Sequence, residues 1–147
     1  MRPIEPSANS TLSRIRSKRF NMTETVRVIA IVDDDPAVLK ALARLVRTRL
    51  FSARTFQSGP QFLASLPKDL PDCLILDLQM PEMTGLEIQQ KLRRDGIQIP
   101  TIIVTAHDEA GMRERCKSAG AIAYLTKPVR ETSLFAAIDA AAGNTNE

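Results

Sequence analysis

From residue 26 onward, short apolar runs alternate with stretches of helical periodicity, and this alternation repeats five times. The first run, residues 26–32, is rich in β-branched residues and ends in acids, which is typical of a strand buried on both faces. Four further runs follow, at residues 52–56, 73–77, 101–105 and 121–125. Because parallel strands must be joined by crossover segments, which are usually helices, the pattern predicts an α/β domain with one parallel sheet and helices on both faces.

The helices differ in how clearly the sequence marks them. Asp35 is a predicted N-cap at the start of the first helix. The segment 108–119 has only a thin apolar face, which predicts a helix that is weakly anchored to the core; this face consists of Met112, Cys116 and Ala119. The last helix is predicted over residues 129–142, ending at Gly143, with residues 143–147 as a flexible tail.

The charge of the chain is distributed unevenly. The net charge is +3, and residues 1–25 account for it with five basic and two acidic residues, whereas residues 26–147 carry 15 of each. Residues 1–25 are also rich in Ser, Thr, Pro and Asn and show no periodic apolar face, so they are predicted to be a disordered basic extension. A basic arm that binds nucleic acid or an acidic membrane surface is the alternative, but a solvated extension explains this composition more simply.

The remaining composition limits the class of protein. A chain of 147 residues, 44% of them hydrophobic, fits one domain with its own core. Two cysteines cannot build a disulfide scaffold, and no apolar run is long enough to span a bilayer. The chain is therefore expected in the reducing cytoplasm, without contact to a membrane.

Polar side chains of complementary chemistry follow four of the five predicted strands. Asp33 and Asp34 come directly after the first strand, Asp77 ends the third, Thr105 ends the fourth, and Lys127 follows the fifth. Each of them alone has an ordinary structural explanation, such as a helix cap or a surface loop. Because the carboxyl ends of parallel strands share one edge of the sheet, we expect them to converge there.

Such a set suits phosphoryl transfer. Clustered carboxylates repel one another unless a cation neutralises them, and their hard oxygen atoms suit Mg²⁺. A carboxylate can act as a nucleophile toward an activated phosphoryl group. The transfer then needs mainly positioning and charge stabilisation, which a metal ion, a lysine and a hydroxyl can supply.

The sequences of these motifs resemble those of a known family. IVDDD, LDLQMPEMTG, VTA and AYLTKP together are similar to the receiver domain of two-component response regulators, over about residues 26–142. The resemblance implies a flavodoxin-like (βα)5 fold: a single five-stranded parallel sheet with strand order 2-1-3-4-5. It also implies that Asp77 accepts the phosphoryl group.

The resemblance extends to the metal site. It implies that Mg²⁺ is bound directly by Asp34 and Asp77, by Asp33 mainly through water, and by the backbone carbonyl of Gln79. The side chains of Gln79 and His107 would border the phosphoryl group and tune how long it persists.

Four further positions match the phosphoryl-binding and switching parts of the family. Thr105 and Lys127 would contact the phosphoryl group. Tyr124 would be the switch aromatic that turns inward when Thr105 moves toward the phosphate. The bond between Lys127 and Pro128 is predicted to be cis.

The function implied is a signalling switch and not a conventional enzyme. A sensor histidine kinase or a histidine phosphotransfer protein would donate the phosphoryl group. The face formed by residues 108–142 would then signal to a downstream protein or an output domain, and it can also serve a homodimer. Since only four residues follow Gly143, the chain is not expected to bind a specific DNA site by itself.

Two other interpretations fit parts of the sequence. Asp33 and Asp35 imitate the acid pair of a haloacid-dehalogenase-like phosphatase, although Asp77 would then have no purpose. The second alternative interpretation is a receiver domain that acts as a scaffold without being phosphorylated. The aspartate that becomes phosphorylated distinguishes the phosphatase from the receiver.

Overall fold

The computed structural model describes residues 27–66, 68 and 70–146. These residues contain five strands and five helices in strict alternation: β1 Val28–Val32, α1 Pro36–Arg47, β2 Ser52–Phe56, α2 Gly59–Ser65, β3 Cys73–Asp77, α3 Gly85–Arg94, β4 Thr101–Thr105, α4 Met112–Ser118, β5 Ala121–Thr126 and α5 Glu131–Asn146. The strands form one parallel sheet in the order β2-β1-β3-β4-β5. The predicted fold class and strand order are confirmed. The basic extension predicted for residues 1–25 lies outside the described residues.

The sheet separates two hydrophobic clusters because alternate residues of each strand point to opposite faces. One cluster joins the sheet to α2, α3 and α4 through residues such as Phe62, Ile88 and Cys116. The other joins the sheet to α1 and α5 through residues such as Val46 and Leu134. The central strands β1, β3 and β4 are therefore covered on both sides, as their continuous apolar sequences predict.

Side-chain caps fix where helices α1 and α3 begin. Asp35 caps α1 by accepting a hydrogen bond from the backbone N–H of Ala37. At α3, Thr84 accepts from the backbone N–H of Glu87, and the Glu87 carboxylate accepts from the backbone N–H of Thr84. This reciprocal capping box holds the helix that follows β3 at a fixed position after Asp77.

Two predicted helix boundaries were wrong. Helix α4 begins at Met112 and not at residue 108, because Gly111 adopts a left-handed φ of 81° and the residues before it form turns. Helix α5 continues to Asn146 instead of ending at Gly143, since glycine inside a helix costs only about 1 kcal/mol relative to alanine. Residue 147 is not described, and the flexibility predicted for residues 143–147 stays a prediction. Within the described part of the chain, no helix has both the length and the apolar character needed to cross a bilayer.

The end of α1 holds a strained residue. Phe51 N–H donates to the carbonyl of Val46 and Leu50 N–H to that of Arg47, which is the bonding pattern of a Schellman motif. Such motifs place a residue in the left-handed region, usually glycine, but here it is Leu50 with φ 69°. Its side chain is 81% exposed, so the leucine gains little from burial.

Replacing Leu50 with Gly is therefore expected to stabilise the protein by about 1 kcal/mol, because left-handed strain at a residue with a Cβ is removed. Thermal denaturation should show a rise in Tm of about 4 °C. Leu50→Ala is the matched control, since alanine keeps the Cβ and should give little gain. An unchanged Tm in Leu50→Gly would contradict this account of the turn.

Candidate functional site

The polar residues that end the strands lie together at the carboxyl edge of the sheet. Backbone pairing continues just past the strands, because Leu78 N–H donates to the Val104 carbonyl and Lys127 N–H to the Thr105 carbonyl. This register keeps the ends of β3, β4 and β5 level with one another. The structure thus brings Asp33, Asp34, Asp77 and Lys127 into one cluster, with Thr105 at the end of the neighbouring strand.

Three carboxylates form the centre of the site. One oxygen from each of Asp33, Asp34 and Asp77 lies within 4.8 Å of the others. Asp33 and Asp77 are only 2% and 5% exposed, whereas Asp34 is exposed. Three hard oxygen donors with one side open to solvent fit a small divalent cation such as Mg²⁺, which keeps part of its water shell. The participation of the Gln79 carbonyl stays a prediction.

Lys127 is the counter-charge of this cluster. Its Nζ donates to Asp33 Oδ2 at 2.8 Å and to Asp77 Oδ1 at 3.3 Å. Burial alone would lower the pKa of the Lys127 ammonium, but the hydrogen bond to Asp33 and the charges of Asp77 and Asp33 outweigh it and raise the pKa. The ammonium therefore stays charged at neutral pH and joins the phospho-acceptor candidate to its acidic neighbour.

The pKa of Asp77 departs from its ordinary value. Burial, and then the negative charge of Asp33, raise the pKa of Asp77 to about 6, although Lys127 acts in the opposite direction. At pH 7 the group is mostly ionised, and its ionised form is poorly compensated. Such a carboxylate gains from any cation or covalent bond that removes its charge, which suits a nucleophile.

A small polar network covers the side of the site near β4. Thr105 Oγ1 donates to the His107 carbonyl at 2.9 Å and accepts from the His107 N–H at 3.1 Å. Gln79 Oε1 lies 3.4 Å from the same hydroxyl and 3.1 Å from His107 Nδ1. The two predicted lifetime residues are therefore in contact with each other and with Thr105.

The predicted switch residue, Tyr124, lies one strand away from this network. Its side chain is packed between β5 and α4 and is 8% exposed. The guanidinium of Arg113 lies 4.6 Å from the centroid of the ring. The sequence did not single out Arg113, because a basic residue on a polar helix carries no signal of its own.

Two further sequence expectations concern the backbone around the site. The bond between Lys127 and Pro128 is cis, as predicted. Asp35 serves as a helix cap, and the cluster of carboxylates consists of Asp33, Asp34 and Asp77. The geometry therefore does not place Asp35 opposite Asp33 as an acid pair.

Comparisons with known proteins point in one direction. The family model for the response regulator receiver domain matches residues 29–139. The response regulator protein TodT of Pseudomonas putida is 44% identical over 121 residues, which cover 82% of this chain and 53% of TodT. The transcriptional regulatory protein FixJ of Rhizobium meliloti is 35% identical over 113 residues, 77% of this chain and 55% of FixJ. The chain spans about half the length of these curated relatives.

Solved structures agree with the sequence comparisons. The crystal structure of FixJ-N superposes with a TM-score of 0.75 at 34% identity, covering 81% of this chain and 95% of that one. A receiver protein from Burkholderia phymatum gives a TM-score of 0.70 at 42% identity, covering 80% and 95%.

Proposed function

Because the chain belongs to the family of response regulator receiver domains, we propose that it accepts a phosphoryl group on Asp77 from a phosphohistidine donor. The observation that carries the proposal is the position of the Asp77 carboxylate, which is buried between two other aspartates and an ammonium group. Burial and the charge of Asp33 raise the pKa of this residue to about 6, and it ends a central strand. The receiver unit would comprise residues 26–142.

The chemical step is a substitution at phosphorus. An oxygen of Asp77 forms the new bond to phosphorus, the bond between phosphorus and the imidazole nitrogen of the donor breaks, and its electron pair stays on that nitrogen. Asp33 and Asp34 would hold Mg²⁺ together with Asp77 and the Gln79 carbonyl. When bound, this ion supplies the positive charge that offsets the phosphoryl oxygens.

Lys127 and Thr105 hold the product in this proposal. The ammonium of Lys127 already contacts Asp77 and needs little movement to meet a phosphoryl oxygen. The Thr105 hydroxyl would leave the network of His107 and Gln79 and donate to the phosphoryl group. Gln79 and His107, which border the same side, would set how fast water removes that group.

The signal leaves through residues 108–142, which include α4, β5 and α5 up to residue 142. A change at Thr105 reaches this face through Tyr124, and a partner that prefers one of the two packings shifts the population toward it. The proposed partners are a sensor histidine kinase or a histidine phosphotransfer protein as donor, and a downstream protein, an output domain or a second copy as receiver of the signal. We place the exchange in the cytoplasm, which suits two unpaired cysteines, Cys73 and Cys116.

Intact mass spectrometry tests the proposal. Wild-type protein incubated with Mg²⁺ and a small acyl phosphate should gain one phosphoryl group, and the gain should disappear on chelation of the metal and in Asp77→Ala. If Asp77→Ala is still labelled and Asp33→Ala is not, the phosphatase interpretation replaces this one. If no label appears even with candidate kinases, the chain is a phosphorylation-independent scaffold.

A further inference from the structure

We infer that Arg113 is a positioning residue that holds the Tyr124 ring in its inward orientation. The guanidinium lies 4.6 Å from the ring centroid, and its Nη1 donates to the Tyr124 carbonyl at 3.3 Å. Arg113 therefore contacts both the side chain and the backbone of one residue on β5. The inference rests on the proposed function only in taking the surface around Tyr124 as the signalling face.

The inward orientation of Tyr124 carries a cost that something must offset. The hydroxyl is buried and has no hydrogen-bond partner among the described residues. Burial, and then the neighbouring Asp108 carboxylate, raise the pKa of Tyr124 to about 12, so the hydroxyl stays protonated at neutral pH. An outward ring would return the hydroxyl to water, so the inward state depends on compensating contacts, namely burial of the ring in the hydrophobic cluster and the guanidinium over its face.

The helix that carries Arg113 is held mainly at its far end. The side chain of Gln89 donates to the Cys116 carbonyl and that of Arg93 to the Ser118 carbonyl, and both donors belong to α3. The first turn of α4 instead follows Gly111, which provides no side-chain cap. Arg113 lies in this turn, so its place over the ring depends on the loop that begins after Thr105.

This arrangement links the two predicted switch residues through the chain itself. Residues 106–111 connect Thr105 to the first turn of α4, and Arg113 in that turn covers Tyr124. In the described structure Thr105 is bound to His107 and Gln79, so Arg113 keeps the ring inward before Thr105 moves toward a phosphoryl group. Arg113 is exposed, and losing a cation–π contact at an exposed site shifts an inward–outward equilibrium by about two- to fivefold.

Quenching of tyrosine fluorescence measures how accessible the Tyr124 ring is, because the chain contains one Tyr and no Trp. We would measure acrylamide quenching of the full chain without phosphodonor. The quenching constant of Arg113→Ala should rise by about threefold over wild type, because the ring turns toward solvent. Arg113→Lys keeps a cation over the ring and should recover most of the shielding, whereas Arg113→Gln should behave like Arg113→Ala.

Arg115→Ala is the matched control, since Arg115 is an exposed basic residue of the same helix, whereas Lys117 lines the same surface depression as Tyr124. The quenching constant of this control should equal that of wild type. The inference is overturned if Arg113→Ala quenches like wild type, or if the quenching constant of Arg115→Ala rises equally, which would indicate general loosening of α4. Should Arg113→Ala fail to melt cooperatively, the comparison of Arg113→Lys with Arg113→Gln decides. Because no phosphodonor is present, the result is independent of whether Asp77 accepts a phosphoryl group.

Discussion

Asp77→Asn is expected to raise the free energy of unfolding of the metal-free protein at pH 7 by about 3 kcal/mol, an increase in Tm of roughly 10 °C. The reason is that the ionised carboxyl group is held in the fold against burial and against the charge of Asp33. Asparagine removes this charge, and its carbonyl oxygen can still accept a hydrogen bond from Lys127. The variant would be more stable and unable to take up the phosphoryl group, as expected where a functional group is kept at a cost to stability.

The pH dependence of the effect has a definite sign. The pKa of Asp77 is about 6 in the folded protein and has an ordinary value of 3.8. The folded state therefore binds more protons than the unfolded state between these values, and this group lowers stability as the pH rises from 3.8 to 6. The stability difference between Asp77→Asn and wild type should be complete at pH 7 and should shrink as the pH falls toward 4.

Urea denaturation in EDTA at pH 7 and pH 4.5 measures both effects. Asp35→Asn is the matched control, because Asp35 lies outside the carboxylate cluster and asparagine caps helices about as well as aspartate. It should change stability little at either pH. If Asp77→Asn raises the free energy of unfolding equally at the two pH values, charge is not the cause of the gain. If stability does not rise at pH 7, the ionised Asp77 carboxylate does not destabilise the fold.

Gly85→Ala is expected to destabilise the protein by about 3 kcal/mol or more and to slow phosphorylation as well. A Cβ at this position would lie 2.5 Å from the carbonyl oxygen of Asp77 and 3.0 Å from Cα of Leu78. These are backbone atoms, so they cannot move aside by changing rotamer. The Gly85 N–H also donates to the Leu78 carbonyl at 2.8 Å, and relieving the clash would weaken that bond.

Gly96→Ala separates this clash from the general effect of replacing a glycine. Gly96 has a φ of 73°, but a Cβ there would meet nothing within 4 Å. Its replacement should cost about 1 kcal/mol from backbone strain and leave labelling by acyl phosphate unchanged. Chemical denaturation and the rate of phosphoryl gain should be measured for both variants. Equal losses of stability in the two variants, or normal labelling of Gly85→Ala, would argue against a clash with the backbone of Asp77 as the cause.

Much of the fold could be predicted because the strands begin and end where apolar sequence meets polar or turn-forming residues. The strands 52–56, 73–77 and 101–105 were predicted with the bounds that the structure shows, since each apolar or alternating run is flanked by polar or turn-forming residues. The start of α4 was not predicted, because a thin polar helix and a polar turn have similar sequences. Helix α5 passes Gly143 for a comparable reason, as a helix can continue through a single glycine.

In the site, the members could be predicted from the sequence, but their contacts with one another could not. The members could be found because parallel strands bring their carboxyl ends together at one edge of the sheet. The partners within the site depend on tertiary distances: Lys127 is closer to Asp33 than to Asp77, and Thr105 bonds to the His107 backbone. The stacking of Arg113 on Tyr124 joins two elements whose relative rotation no sequence pattern reveals.

Because the core is divided into two clusters, a label can be attached on the face of the sheet opposite Tyr124. Tyr124 and α4 belong to one cluster, whereas α1 and α5 pack into the other, on the opposite face of the sheet. A dye or surface tether attached at the exposed Lys40 of α1 would therefore be separated from Tyr124 by the whole thickness of the sheet. Immobilised in this way, the protein would present its α4 side freely to candidate partners.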